Sequence, residues 1–404
     1  MMNNKYFFIL GNNPALSLIE ILAVAQQQQI MIKLIDYFDY VLLVQMDQEF
    51  DFSILGGSIK FGTLLDGSEQ YDWSIVESIL QRQIIENQKF NFGFSYYFDE
   101  QKKIKQWQKE CEKNSLHWKK LLAQQGQSAR LVSSRETELS SIIVSKEKLL
   151  IGGCELLLIC RKNKFYYGIT KQVQDWRDFG QRDYGKPQVD ATSGMLPPKL
   201  ARLMINLAQL PKEQALFDPF CGSGVLLLEA MTMGYQKILG SDISQKAVTD
   251  SKKNYQWYQQ QHPELQCQVQ INSTDATTLP KELVSEKIGA VVTEPYLGPA
   301  WKTRPTFSRI QQVQKELQNL YCAFFSSLNQ ITLPGTKLVM VWPVFRLGQQ
   351  ILLTYQPHLI NNRQWQVVDY SQELNNFGIF GISNFIYSRP DQVVGRQIIT
   401  FCKQ

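Results

Sequence analysis

The sequence predicts an α/β fold, on three observations. Over residues 215–342, short apolar runs alternate with amphipathic helical patterns, the signature of a mostly parallel sheet covered by helices on both faces. Residues 5–170 mix strand and helix patterns without that regular alternation. Hydrophobic residues make up 44% of the 404, enough for packed cores in two or three domains and too much for a chain disordered throughout.

The elements follow in order. Residues 5–11 read as a strand ending in a turn, and residues 14–25 as a helix with Leu16, Ile19, Leu22 and Ala23 on one face. Residues 40–46 read as another strand, so residues 1–90 form a small α/β unit. Residues 90–98 form an aromatic strand. Residues 102–124 form a polar helix, with Ile104, Trp107, Cys111, Leu121 and Leu122 as candidate buried positions and Gly126 as its stop. A helix over 138–150 and a hairpin of 155–161 with 165–170 complete a second unit, 91–175. Residues 176–194 are polar, hold Gly180, Gly185 and Pro187, and read as a linker. A third unit spans 195–404. Its first helix starts at the proline pair Pro197-Pro198, since proline suits the first helical turn.

Composition narrows the function. The net charge of +5 divides into −8 over residues 1–100, +9 over 101–187 and +4 over 188–404. A basic block with interleaved aromatics (Trp107, Trp118, Tyr166, Tyr167, Trp176) suits a phosphate polymer. Seven cysteines without a Cys-x-x-Cys pair, and three scattered histidines, argue against a disulfide framework and a structural zinc site. No window approaches the ~20 apolar residues of a membrane helix. The start, Met1 to Lys5, does not read as a secretory signal. A soluble cytoplasmic protein is the expectation.

The strongest motif follows the strand at 215–217. Asp218-Pro219-Phe220-Cys221-Gly222-Ser223-Gly224 joins that strand to an apolar helix, and its glycines let a ligand approach the backbone. Asp218 counts against a phosphate-binding loop and favours a ligand with a cationic group, such as the amino group and sulfonium of S-adenosylmethionine. Asp242 stands 24 residues later at the tip of the next strand, where a carboxylate can accept both ribose hydroxyls. Asp275 and Ala276 follow the third strand, within reach of an adenine amine. After the fourth strand comes Thr293-Glu294-Pro295-Tyr296, a rigid proline turn able to aim acceptors at an exocyclic amine, with Tyr296 as a stacking face for an extruded base.

The stretches 182–187, 193–202, 206–208, 217–224 and 294–296 resemble the THUMP-domain RNA methyltransferases, most closely the tRNA guanine-10 N2-methyltransferase group. Residues 91–175 resemble the THUMP module, with Glu138 to Ser141 as the local cue, and residues 1–90 the ferredoxin-like unit that often precedes it. The resemblance implies a C-terminal Rossmann-like class I methyltransferase domain at 195–404. It implies that Asp218, Cys221, Gly222 and Gly224 line the methionine part of S-adenosylmethionine, with Met195 and Leu196 nearby. It further implies that Asp242 and Ile243 hold ribose and adenine, that Asp275 and Ala276 hold the adenine edge, and that Thr293, Glu294, Pro295 and Tyr296 face the target base. The partner it implies is tRNA, gripped by the THUMP module; an activating protein subunit is left open, and no metal is implied.

In one respect the motif departs from the family, which has Asp or Asn, then two prolines or a similar pair, then an aromatic. Here Thr293 stands first and Glu294 second, and Glu294 is expected to supply the carboxylate from the neighbouring position. The expected reaction is methyl transfer to an exocyclic amine of a tRNA base, N2 of guanine. The alternatives are ribosomal RNA or adenine N6 as target, or a non-catalytic RNA-binding protein of the same shape. Lys302, Arg304 and Arg309 follow the turn as candidate contacts to an RNA backbone.

Overall fold

The structure, a computed structural model, describes residues 4–189, 195–301, 303–360, 364–379, 385–389 and 392–404. Ser193, Gly194 and Lys302 of the motifs above lie outside them. The chain divides into two compact units.

The first unit comprises Met1–Pro14, Gln28–Ser53 and Ser58–Trp176. Its strands are β1 (Asn4–Leu10), β2 (Ile32–Phe38), β3 (Val41–Met46), β4 (Ser58–Ser68), β5 (Phe90–Phe98), β6 (Ala129–Val132), β7 (Gly153–Arg161) and β8 (Lys164–Val173). They make one sheet in the order β2-β3-β1-β4-β8-β7-β5-β6. β4 is antiparallel to both β1 and β8, so the strands of residues 1–90 and 91–175 run into one another instead of forming two sheets. The unit's longer helices are α2 (Trp73–Gln81) and α3 (Gln101–Gln124); α1 (Pro14–Gln27), which follows β1 in the chain, belongs to the second unit from Ala15 on. Phe90, Phe92, Phe94, Tyr96 and Phe98 on β5 pack with Trp118 and Ile104 of α3. On α3, Leu121 is exposed where its spacing suggested burial, while Leu122 is 2% exposed.

A buried ion pair fixes the cue at 138–141. Lys60 Nζ lies 2.5 Å from Glu155 Oε1 and donates to the Leu139 carbonyl at 2.5 Å. Ser95 Oγ accepts from the Leu139 N–H, and Thr170 Oγ1 donates to Glu155 Oε2. Ser140 then caps α4 (Ser141–Lys146), much shorter than the helix expected over 138–150 because residues 147–152 turn back toward β7.

The second unit comprises Ala15–Gln27, Ile54–Gly57 and Arg177–Gln404. The segment expected to be a linker instead contains α5 (Trp176–Tyr184), with Phe179 and Arg182 buried. The other helices are α6 (Pro198–Ala208), α7 (Val225–Thr232), α8 (Gln245–Gln261), α9 (Phe307–Leu328) and α10 (Ser371–Asn375). The strands β9 (Ala215–Asp218), β10 (Lys237–Asp242), β11 (Gln268–Ser273), β12 (Ile288–Thr293) and β13 (Lys337–Leu347) are parallel, in the order β11-β10-β9-β12-β13. β14 (Gln350–Leu353), β15 (Trp365–Val367), β16 (Ile386–Tyr387) and β17 (Val394–Lys403) extend the sheet antiparallel beyond β13. The strand order reverses between β9 and β12, which opens a crevice at their carboxyl ends.

Charges buried on the helices brace that sheet. Glu229 on α7 is fully buried and pairs with Arg182 of α5 and, at 2.9 Å, with Arg202 of α6. Arg202 and Arg182 flank the Phe179 ring at 4.7 and 5.0 Å. Glu20 on α1 accepts from the Gly56 and Gly57 N–H groups and from Asn206 Nδ2, each at 2.7 Å. So Arg182, Arg202 and Asn206 of the sequence motifs build the scaffold and do not line the crevice.

Removing one partner from a buried pair strands the others. Glu229→Ala removes the buried carboxylate shared by two guanidiniums, of which Arg182 keeps Asp178, and is expected to cost on the order of 3–5 kcal/mol in chemical denaturation. A loss below about 1 kcal/mol contradicts the role given to this cluster.

Candidate active site

Each acid of the motif ends a parallel strand or begins the loop after one, so all point to one edge of the sheet. Asp218 closes β9, Asp242 closes β10, Asp275 follows β11 and Glu294 follows β12. They line a single cavity of about 510 Å³ with Met195, Leu196, Cys221, Gly222, Ile243, Ala276, Pro295 and Tyr296. Two expected residues lie outside that lining, Gly224 and Thr293.

The loop after β9 is shaped by backbone hydrogen bonds. The Cys221 N–H donates to the Ser241 carbonyl at 2.8 Å, and the Gly222 N–H to Asp242 Oδ2 at 3.0 Å. Gly222 has φ +50°, and a Cβ there would meet nothing within 4 Å, so this backbone borders open space. Gly224 sits behind it, where a Cβ would meet Ser251 Oγ at 2.4 Å; it lets α7 start against α8. Asp242 Oδ1 accepts from the Ser244 N–H at 2.9 Å, and each of its oxygens keeps a further lone pair. Asp275 Oδ1 caps the next turn, accepting from Thr277 N–H and Oγ1 at 2.8 Å.

Asp218 is the least hydrated of the acids, 1% exposed. Its Oδ1 accepts from Thr293 Oγ1 at 2.7 Å and from the Phe220 N–H at 3.2 Å. Burial pushes its carboxyl up to about 7; these two donors oppose the rise, and the charges of Asp242 and Glu294 add to it.

This geometry corrects the reading of the proline turn. Thr293 is the last residue of β12, fully buried, and its side chain goes to Asp218. Side chains alternate along an extended chain, so the next residue, Glu294, faces the cavity. Thr293 does not line the cavity; the neighbouring Glu294 does. Nor does Glu294 stand alone: Arg396 on β17 pairs with both its oxygens, Nε to Oε1 and Nη2 to Oε2 at 3.3 Å. Burial pushes the Glu294 carboxyl up, and the Arg396 guanidinium opposes that shift. Pro295 is buried, while the Tyr296 ring is 57% exposed and its carbonyl accepts from the buried Tyr321 hydroxyl at 2.7 Å. The turn is therefore anchored through its backbone, with its ring at the surface.

Sequence reasoning missed Arg396 and Tyr321. The signal for Arg396 was a charge near the start of β17, a strand whose other charge, Lys403, closes it.

Residues 186–347 match the family described as RMKL-like, methyltransferase domain. Two curated relatives, each named tRNA (guanine(10)-N2)-dimethyltransferase, match part of this chain. The one from Methanothermobacter thermautotrophicus is 30% identical over 150 residues, 37% of this chain and 39% of the relative. The one from Methanocaldococcus jannaschii is 28% identical over 163 residues, 40% and 45% respectively. The chain thus spans less than half the length of these relatives. A solved structure described as a possible methylase from Clostridium difficile 630 shares the fold over 99% of this chain and 97% of its own, with a TM-score of 0.52 and 12% identity. No helix among the described residues is long and apolar enough to cross a membrane.

The Asp218–Thr293 bond sets a stability test. Asp218 titrates at 3.8 when unfolded and about 7 when folded, so its contribution is fully present below pH 3.8 and is lost as pH rises through 7. Thr293→Val removes a donor to the ionised form. It is expected to cost about 1–3 kcal/mol at pH 8 and less at pH 5, by denaturation at the two pH values. An equal cost at both contradicts the assignment.

Proposed function

We propose that this protein transfers a methyl group from S-adenosylmethionine to an exocyclic amine of a tRNA base, N2 of guanine. The observation that carries this is the convergence of four carboxylates and one exposed tyrosine on a single cavity at the switch point of the methyltransferase domain. The named relatives support the choice of tRNA and guanine.

The cavity residues fit the cofactor. Among the charged side chains of a mainly apolar lining, carboxylates (Asp218, Asp242, Asp250, Asp275, Glu294) outnumber the lysine Lys246, which suits a ligand bearing an amino group and a sulfonium. Ile243 is 71% exposed beside Ala276 and offers an apolar face for a purine. Gly222 leaves open the space that a side chain would occupy. In this reading Asp218 and the 221–224 backbone face the methionine part, with Met195 and Leu196 beside them. Asp242 accepts from the ribose hydroxyls, and Asp275 from the adenine amine. When bound, the cofactor supplies an electrophilic methyl carbon.

The chain's own residues do the rest. Tyr296 stacks on the extruded base. Glu294 accepts an N–H of the target amine and so turns its nitrogen toward the methyl carbon, with Pro295 holding the turn rigid; as the N–C bond forms and the C–S bond breaks, the neutral thioether leaves and the nitrogen sheds one proton to solvent. Glu294 at the cavity gives the turn its carboxylate, which favours an enzyme over a binding-only protein. Residues 91–175 act as a THUMP-type RNA module after a ferredoxin-like segment at 1–90, with the methyltransferase domain over 195–404. On α3, Lys105, Lys109, Lys113 and Lys120 are exposed and suit phosphate contacts made in the cytoplasm.

Incubation with tritiated S-adenosylmethionine and bulk tRNA is expected to label the RNA; no label in any RNA contradicts the reading. Cofactor affinity by calorimetry is expected to rise from pH 6 to pH 8, because Asp218 ionises near 7 and the ionised form attracts the cation. Asp218→Asn is expected to flatten that rise, and Asp242→Ala to weaken binding at least tenfold. Unchanged binding in Asp242→Ala sinks the site assignment.

A further inference from the structure

Arg396 is 8% exposed, on a strand whose neighbouring residues are largely apolar. Its backbone is fixed by pairing with Pro343 of β13 and Tyr387 of β16. Its guanidinium holds both oxygens of Glu294, and Nη2 reaches the Met195 carbonyl at 3.5 Å. The other titratable groups acted on by the Glu294 charge are Asp218, at the end of β9, and the Tyr321 phenol on α9.

We infer that the Arg396–Glu294 pair selects the base: Arg396 is a positioning residue that fixes Glu294 as an acceptor-only reader, and Glu294 then selects guanine over adenine. The inference rests on the methyl-transfer reading above and assigns that reaction a specificity device.

Donors and acceptors on the two bases decide the choice. An ionised carboxylate has two oxygens with about four lone-pair sites and no donor. Arg396 takes two of these sites, leaving two for the substrate. Guanine presents N1–H and N2–H₂ side by side, donors that match such a reader. Adenine presents an N6–H₂ donor beside the N1 acceptor. Against the carboxylate that N1 finds negative charge and no donor, and a buried acceptor left unpaired is penalised. A protonated glutamate or a glutamine would supply the missing donor. Arg396 disfavours the protonated form through its charge, and its two-pronged geometry holds both oxygens in place.

The test uses the full-length chain with unmodified tRNA transcripts from pH 6 to pH 9, and methylated nucleosides are quantified by mass spectrometry. S-adenosylhomocysteine affinity and thermal melting confirm that each variant is folded. The unaltered protein is expected to methylate guanine at least tenfold over adenine. Arg396→Gln is expected to lose at least tenfold at pH 6.5 and to recover toward pH 9, because Glu294 without its cation protonates more readily; Arg396→Lys is expected to fall between. Glu294→Gln, whose amide carries a donor NH2 and an acceptor oxygen, is expected to move the guanine-to-adenine ratio at least tenfold toward adenine. Methyl on adenine from the unaltered protein, an unchanged pH profile in Arg396→Gln, or an unmoved ratio in Glu294→Gln each overturns this inference and leaves methyl transfer standing. No transfer to any RNA overturns the methyl-transfer reading and this inference with it.

Discussion

Carboxylates gathered at one edge of a parallel sheet repel each other and lose hydration, and the C-terminal unit is built around tolerating that. Asp218 is enclosed and is held by one hydroxyl and one backbone N–H. Asp242 spends one lone pair on each of two loops. Asp275 caps a turn, and Glu294 leans on a guanidinium. Asp218, Asp242 and Asp275 are thereby aimed by neutral donors, and Glu294 by a cation. A cavity whose charged lining is mostly carboxylate favours a ligand that brings positive charge.

The scaffold behind the cavity uses the same physics at greater depth. Glu229 balances two arginines from two other helices, and Glu20 is met by two backbone N–H groups and an amide. Breaking any one partner exposes a charge to a dry interior, which makes such clusters intolerant of single changes. Several residues that stand out as motif in the sequence owe their prominence to this scaffold. Arg182 and Asn206 touch structural acids and not the cavity.

What could be read from the chain alone follows from how local each signal is. Asp218, Asp242 and Asp275 were legible because strand-then-acid is a short pattern, and parallel strands carry such acids to the same edge. The turn at 294–296 was legible as a turn, but the facing of Thr293 and Glu294 was not, since one residue of strand register exchanges the two sides. Arg396 lies 102 residues from Glu294, and no local pattern joins them. The helix Trp176–Tyr184 was hidden because its sequence is polar and its burial depends on Glu229 and Tyr258, supplied by distant elements. In the N-terminal region, the strand β4 was the missing piece. It pairs on both sides and so joins what local reading separates near residue 90.

The proposed function requires the four acids to frame one nucleoside-sulfonium site. A crystal structure of the chain soaked with S-adenosylhomocysteine measures that directly. The expected result is density for the purine between Ile243 and Ala276, with both ribose hydroxyls on Asp242. Density elsewhere on the protein, or a cavity holding only solvent at saturating ligand, contradicts it.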